Sequence, residues 1–382
     1  MENPFVYGEV VPGGAFVDRE AELDRLVADL TDAQKVFLIS PRRYGKSSLI
    51  RKALTTLGRR GMLTVEVTVS SYSSYVSFLE GYARALASLE TRLDRARAWL
   101  LSAITSTRPE VRYEPEANGL GRFAVAFPAA TSARDVGRLA NEVFALPGRL
   151  SAERKRTVIV ALDEFQAVAA FNGGSVEHAL RAAAQHQRQV GYVFAGSEPS
   201  LMEQMIGPKR PFYKAGPVMR LQKIPADVFA EFIESRFARG GFRPEAGLGA
   251  AIVELAGNLP YDVQRLAHET WDDVRAAGGR RVAGLDQLHD TLVRLLSEQD
   301  PMFEAIWQRL TLAQRAVLRA VVLQSGRELL SAETRTRHRL GGASSIQTSL
   351  GALVKQDLLI KEGTRYVVVD SLLREWIARR TF

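Results

Sequence analysis

Through the first 220 or so residues, short apolar runs alternate with amphipathic helical stretches, the pattern of strand-helix units on a parallel sheet. Five runs read as strands because they are too short for helices and rich in β-branched or aromatic residues: 36–40, 63–69, 158–162, 190–196 and 218–221. Helical periodicity fills 46–57, 74–101, 133–145 and 175–189. The stretch 108–127 carries prolines, glycines and an alternating run at 122–127, so it reads as a loop or hairpin inserted in this α/β part.

From 226 to about 299 strand signals nearly vanish, and helical patterns are broken at Gly240-Gly241, Gly257-Asn258 and Gly278-Gly279. A new unit is expected to begin near Asp300-Pro301. It reads as helix 312–324, a short helix near 332–339, helix 343–356, then strands 358–361 and 366–369 flanking Glu362-Gly363-Thr364. Three helices followed by a hairpin form a winged-helix pattern. No internal repeat or low-complexity tract interrupts this order.

Composition narrows the class. A chain of 382 residues with 46% hydrophobic and 25% charged residues is an ordinary globular chain long enough for two or three domains. Cysteine is absent, which removes disulfides, thiolate metal sites and a cysteine nucleophile and fits a reducing cytoplasm. The first residues, MENPFVYGEV, carry neither the basic nor the apolar region of a signal peptide, and no run approaches a membrane span, so a soluble, untargeted cytoplasmic protein is expected. The net charge is +8, and residues 302–382 hold 13 Lys+Arg against 7 Asp+Glu, which is +6 and leaves +2 for the rest. A polyanion partner for the C-terminal part is admissible, although a basic solvated face is the commoner cause of such an excess.

The sharpest chemical signal is VFLISPRRYGKSSLI, an apolar strand that runs into Ser40-Pro41-Arg42-Arg43-Tyr44-Gly45-Lys46-Ser47-Ser48 and then into a helix. Phosphate binding needs backbone N–H groups at a helix N-terminus, a lysine for the β- and γ-phosphates and a hydroxyl for Mg²⁺. Gly45, Lys46 and Ser47 stand in that register, while Ser40 replaces the usual first glycine of a P-loop. The alternative is an accidental Gly-Lys-Ser at a strand-helix turn. A second run, VIVALDEF, ends in Asp163 and Glu164 as a Walker B strand requires: Asp163 for the Mg²⁺ shell, Glu164 to deprotonate the attacking water. Two acids at a strand end are otherwise often a helix cap. Together the two motifs point to nucleotide binding, and Glu164 to competence in hydrolysis.

With these residues in view, the chain resembles the archaeal-type ATPase family, a branch of the P-loop AAA+/STAND ATPases. The likeness covers nearly the whole chain and rests on FVDREAEL (16–23), SPRRYGKSSLI (40–50), VIVALDEFQ (158–166), YVFAGSEPSLM (192–202), RPFYKAG (210–216) and GNLPYDVQRLA (257–267). The resemblance implies an α/β AAA+-type core with a parallel sheet (1–222), a helical lid (223–300) and a C-terminal winged-helix domain (301–382), with ATP or ADP and Mg²⁺ held between core and lid.

The same resemblance implies several further roles. Phe16, Val17 and Arg19 would approach the adenine base, though Asp18 is equally a helix N-cap. Ser197 would be the sensor beside the γ-phosphate, where a lone serine after glycine could be only a turn residue. Pro260 would pack near the adenine, where glycine then proline is also plain helix punctuation, and Arg265 would act as a second sensor unless it is merely solvated. Arg42 and Arg43 would add charge near the nucleotide, contact the lid and C-terminal domain or stay solvated, and Tyr44 and Ser48 would bind the nucleotide with the rest of the loop. Lys209 and Arg210 lie where a finger to a neighbouring subunit can sit, and Gln185 and His186 on the helix after Walker B read best as an exposed face. With five histidines and no ligand spacing, a protein metal site is not expected.

In the winged helix, the third helix buries Ile346, Leu350 and Leu353 and presents Ser344, Ser345, Gln347, Thr348 and Lys355, with Arg335, Arg337, His338 and Arg339 before it and Lys361 and Arg365 at the wing. Double-stranded DNA is one partner this face admits, and packing against the nucleotide domain is the other use. The function expected is an Mg²⁺-dependent ATP-hydrolysing switch. The rival readings are an ATP-regulated DNA-binding protein with slow turnover and a signalling switch that acts through homo-oligomer or protein assembly; phosphoryl transfer to a small acceptor fits a lid and winged helix poorly. No membrane partner is expected.

Overall fold

The computed structural model describes residues 2–7, 19–90, 93–115, 121–128, 130, 132–171, 175–278 and 281–380. The chain divides into two compact units, one formed by 18–222 and the other by 1–17 with 223–382.

In the first unit the order is α1 (Glu20–Thr31), β1 (Lys35–Ile39), α2 (Lys46–Arg59), β2 (Leu63–Thr68), α3 (Tyr75–Ala87), α4 (Leu93–Ala103), β3 (Glu110–Pro115), β4 (Gly121–Ala126), α5 (Ala133–Arg154), β5 (Val158–Asp163), α6 (Ser175–His186), β6 (Val190–Gly196), α7 (Pro199–Met205) and β7 (Val218–Arg220). Five strands form one parallel sheet in the order β2-β5-β6-β1-β7. Every residue of β5 and β6 is buried, which explains their unbroken apolar sequences: a parallel sheet is covered on both faces. Phe37, Phe165, Phe194 and Phe212 pack ring on ring in this core. The carboxyl ends of β1, β5 and β6, three adjacent strands, lead into the P-loop, the Asp163-Glu164 pair and Ser197, where open α/β sheets place their ligands.

All five expected core strands are present within a residue or so of their expected ends. The inserted segment forms the antiparallel hairpin β3-β4, and its tip at 116–120 lies outside the described residues. The single helix expected over 74–101 is instead two. The Ser88 hydroxyl donates to Ala85 O at 2.7 Å, a local bond that competes with helix continuation; α3 ends at Ala87 with Ser88 as its C-cap, and just beyond it the buried carboxylate of Glu90 pairs with Arg154 of α5. Helix α5 runs on through Pro147 to Arg154, longer than its periodic stretch.

The second unit contains α8 (Ala226–Arg239), β8 (Arg243–Pro244), α9 (Leu248–Leu255), α10 (Pro260–Ala277), β9 (Val282–Ala283), α11 (Leu285–Arg309), α12 (Leu312–Leu323), α13 (Ala332–Arg337), α14 (Ala343–Lys355), β10 (Leu359–Glu362), β11 (Arg365–Val368) and α15 (Ser371–Arg379). Its core is separate from that of the sheet and centres on Phe229, Phe237, Trp271, Phe303, Trp307 and Trp376. Asp300 and Pro301, where a new unit was expected to start, lie inside the continuous helix α11. Helix α14 and the β10-β11 hairpin match the expected winged-helix pattern, and α14 buries Ile346, Leu350 and Leu353 while Ser344, Ser345, Gln347, Thr348 and Lys355 are exposed.

The N-terminal residues join this second unit. Asn3 Nδ2 donates to His268 O at 3.0 Å, His268 Nδ1 donates to Phe5 O at 2.8 Å, and Tyr7 donates to Glu269 Oε1 at 2.6 Å, all on α10. Among the described residues no helix is long and apolar enough to cross a membrane.

Candidate functional site

The P-loop turns tightly between β1 and α2. Arg43 and Gly45 hold left-handed backbone, at φ 69° and 86°, and turns of this kind gather successive N–H groups into an anion-binding concavity. Gly45 is the N-cap of α2 and, among the described residues, no side chain caps that N-terminus, so its positive end faces the loop. Ser40, in the place of the usual glycine, is fully buried and donates from its hydroxyl to Pro41 O at 2.7 Å; the departure from the strict motif is absorbed inside the turn.

Lys46 and Asp163 are both buried and paired directly through Nζ and Oδ1, and Lys46 Nζ lies 3.3 Å from Glu164 Oε1. Ser47 Oγ donates to the other Asp163 oxygen at 2.8 Å. Burial pushes the Lys46 ammonium below its ordinary value against the pull of Glu164. A buried lysine held by two carboxylates is a group that a polyphosphate can claim, since phosphate oxygens replace the carboxylates as partners.

Glu164 sits at the end of β5 in left-handed backbone, φ 53°, an uncommon conformation for a side chain of this size. Its amide donates to Asp163 Oδ1 at 2.8 Å. The carboxylate is surrounded by donors: Lys46 on Oε1, Ser197 Oγ at 2.5 Å and Gln166 Nε2 at 2.5 Å on Oε2. Burial alone would raise this carboxyl, but Lys46 and the hydrogen bonds from Ser197 and Gln166 hold it below the ordinary glutamate value, so it is ionised at neutral pH.

Lys46, Ser47, Asp163, Glu164 and Ser197 are thus brought into one cluster from three strand ends. Among the described residues no three acidic or histidine side chains gather as a metal site. Ser47 and Asp163 offer two adjacent hard oxygens, a set that suits Mg²⁺, which keeps several waters and substrate oxygens in its shell.

The other expected residues stand as follows. Arg19 is buried and committed to protein partners: it pairs with Glu22 at 2.7 Å and donates to Gln222 O and, at 3.5 Å, to Tyr44 O of the P-loop. It is also the N-cap residue of α1; Phe16, Val17 and Asp18 lie outside the described residues. Tyr44 is buried, Ser48 half-buried, and Arg42 lies 4.0 Å from Glu198 across exposed surface. Lys209, Arg210, Gln185 and His186 are exposed. Pro260 and Arg265 belong to the second unit, where Pro260 opens α10 and Arg265 faces the side-chain amide of Gln299 on α11. Gln166 was not singled out from the sequence. The final residue of VIVALDEFQ was its one signal, and only the turn after β5 shows that it folds back on Glu164.

A family described as "Probable winged helix domain" matches residues 301–379. No curated protein matches the chain. Solved structures do. A Walker-type ATPase of Pyrococcus abyssi is 17% identical, with a TM-score of 0.60 over 96% of this chain and 97% of its own. The ORC1 protein of Aeropyrum pernix in complex with DNA is 14% identical, with a TM-score of 0.54 over 99% and 98%, and the ORC2 protein of the same organism, in complexes with ADPNP and ADP, is 14% identical with 0.54 over 98% and 96%. These likenesses show the fold: the architecture of an archaeal P-loop ATPase with a winged helix at its C-terminus.

Proposed function

We propose that this chain binds ATP through its P-loop with Mg²⁺ and hydrolyses it to ADP and phosphate, and that its nucleotide state is relayed to the helical part and the winged helix. The observation that carries the reading is the single cluster of Lys46, Ser47, Asp163, Glu164 and Ser197 at the carboxyl ends of β1, β5 and β6. In this reading the loop from Arg42 to Ser48 and the start of α2 hold the phosphates, and Lys46 leaves its carboxylate partners for the β- and γ-oxygens. Ser47 and Asp163 would hold Mg²⁺, which neutralises phosphate charge during transfer. Glu164 takes a proton from the attacking water, and Ser197 donates a hydrogen bond to its carboxylate. Phe16, Val17, Pro260 and Arg265 remain assigned to the base and sensor roles by resemblance, within a three-part division at 222 and 300.

A second reading is a DNA-responsive ATPase. It is favoured by the exposed polar face of α14 beside exposed Arg337, Arg339 and Lys361, and by the net charge of +6 over 302–382. One fold neighbour is itself a DNA complex. Phosphate contacts from such a face would be salt-sensitive.

Phosphate release measured on wild type, Lys46→Ala and Glu164→Gln, each with and without duplex DNA at two salt concentrations, tests both. The expected result is turnover lost in both variants, with nucleotide binding retained in Glu164→Gln. Stimulation by DNA that fades as salt rises supports the second reading. ATP binding without Glu164-dependent turnover in any condition would leave a nucleotide-bound switch instead of an enzyme.

A further inference from the structure

Gln166 has no place in the phosphate chemistry above, yet it touches two of its members. The 3₁₀ turn at Phe165–Ala170 that follows β5 carries its side chain back, so that Nε2 donates to Glu164 Oε2 at 2.5 Å and lies 3.4 Å from Ser197 Oγ. The side chain is 6% exposed, and its carbonyl Oε1 is buried with no hydrogen-bond partner among the described residues. An unpaired buried carbonyl is destabilising, and turning the amide over would set that carbonyl against a carboxylate. The orientation therefore serves the carboxylate at the expense of the amide's own acceptor. Gly196 keeps space for it and for Met202: a Cβ there would lie 2.7 Å from Gln166 Oε1 and closer still to the Met202 side chain.

We propose that Gln166 is a positioning residue for the water-activating carboxylate: its amide and the Ser197 hydroxyl together hold Glu164 Oε2, which leaves Oε1, the oxygen now facing Lys46, to meet the attacking water when Lys46 turns to phosphate. The inference rests on the hydrolytic reading of the site. Two donors on one carboxylate oxygen fix both the rotamer and the identity of the free oxygen, which is the condition for a general base to be in line with its proton. Ser197 alone leaves the carboxylate free to swing about that single bond.

The test uses the full chain and two near-isosteric variants. Gln166→Leu keeps bulk and removes the donor, and Gln166→Glu keeps shape and places a like charge against Glu164. In both, kcat is expected to fall 10- to 100-fold, while the Kd for a fluorescent ADP analogue stays within twofold of wild type. In a Glu164→Gln background, Gln166→Leu is expected to cause no further loss, because there is no carboxylate left to place. A kcat within threefold of wild type for Gln166→Leu would overturn the inference, as would a loss that is additive with Glu164→Gln or that appears equally in nucleotide binding. If wild type itself lacks Glu164-dependent turnover, the hydrolytic reading falls and takes this role with it, an outcome read before any Gln166 variant is compared.

Discussion

At the scale of single residues, the cluster's chemistry depends on which charges meet. Lys46→Ala removes the buried ammonium and leaves Asp163 and Glu164 facing each other, so ATP affinity is expected to drop at least tenfold in a titration with a fluorescent analogue. Glu164→Gln keeps the size of the side chain and loses the base; kcat is expected to fall by about 10²- to 10⁴-fold with affinity held, as phosphate release in single turnover would show. Away from the site, Tyr7 offers a pH-dependent case. Its hydrogen bond to Glu269, with burial, raises the phenol to about 12. A raised group stabilises the folded state fully below its unfolded value, about 10 for tyrosine, and that contribution is lost as pH rises through the folded value. Tyr7→Phe is therefore expected to cost about 1 kcal/mol at pH 8 and to remove the loss of stability between pH 10 and 12, read by urea unfolding at both ends of that window.

Elements were read where their signal is local. The apolar runs of β5 and β6 identify buried parallel strands by themselves, and the Thr311-Gln314 capping box at the start of α12 agrees with the predicted start of that helix. Thr311→Ala is expected to cost about 1 kcal/mol, measurable as a lowered midpoint in thermal unfolding. Breaks were harder to see. Helix α3 ends at Ala87, and Glu90 just past that end meets Arg154, a partner 64 positions further on; periodicity carries no trace of that pairing. Helices α5 and α11 pass through Pro147 and Pro301 although proline removes a backbone donor; both helices bury one long apolar face, and tertiary packing of such a face can outweigh a missing bond. Helix α15, with Asp370 as its N-cap and Trp376 and Ile377 buried, follows the hairpin inside the expected 301–382 range, an element the periodicity there does not single out.

For the whole molecule, the two units have separate cores, which predicts two transitions in calorimetry. ATP or ADP with Mg²⁺ at a hundredfold excess over Kd is expected to stabilise the α/β unit by about 2.7 kcal/mol, and Lys46→Ala to abolish that shift. The sequence alone determined the strand order along the chain, the P-loop, the acids at the end of β5 and the polar outer face of α14, because each is written in neighbouring residues and a fixed period. Only the tertiary structure decided that Arg19 spends its guanidinium on Tyr44, Gln222 and Glu22, that residues 2–7 belong with α10, and that Gln166 closes on Glu164 and Ser197. Apart from the local Arg19–Glu22 pair, the Arg19 and N-terminal contacts join residues far apart in sequence. The short contact of Gln166 depends on a turn whose direction is set by packing. Such pairings arise from chain reversal and burial, which no local pattern encodes.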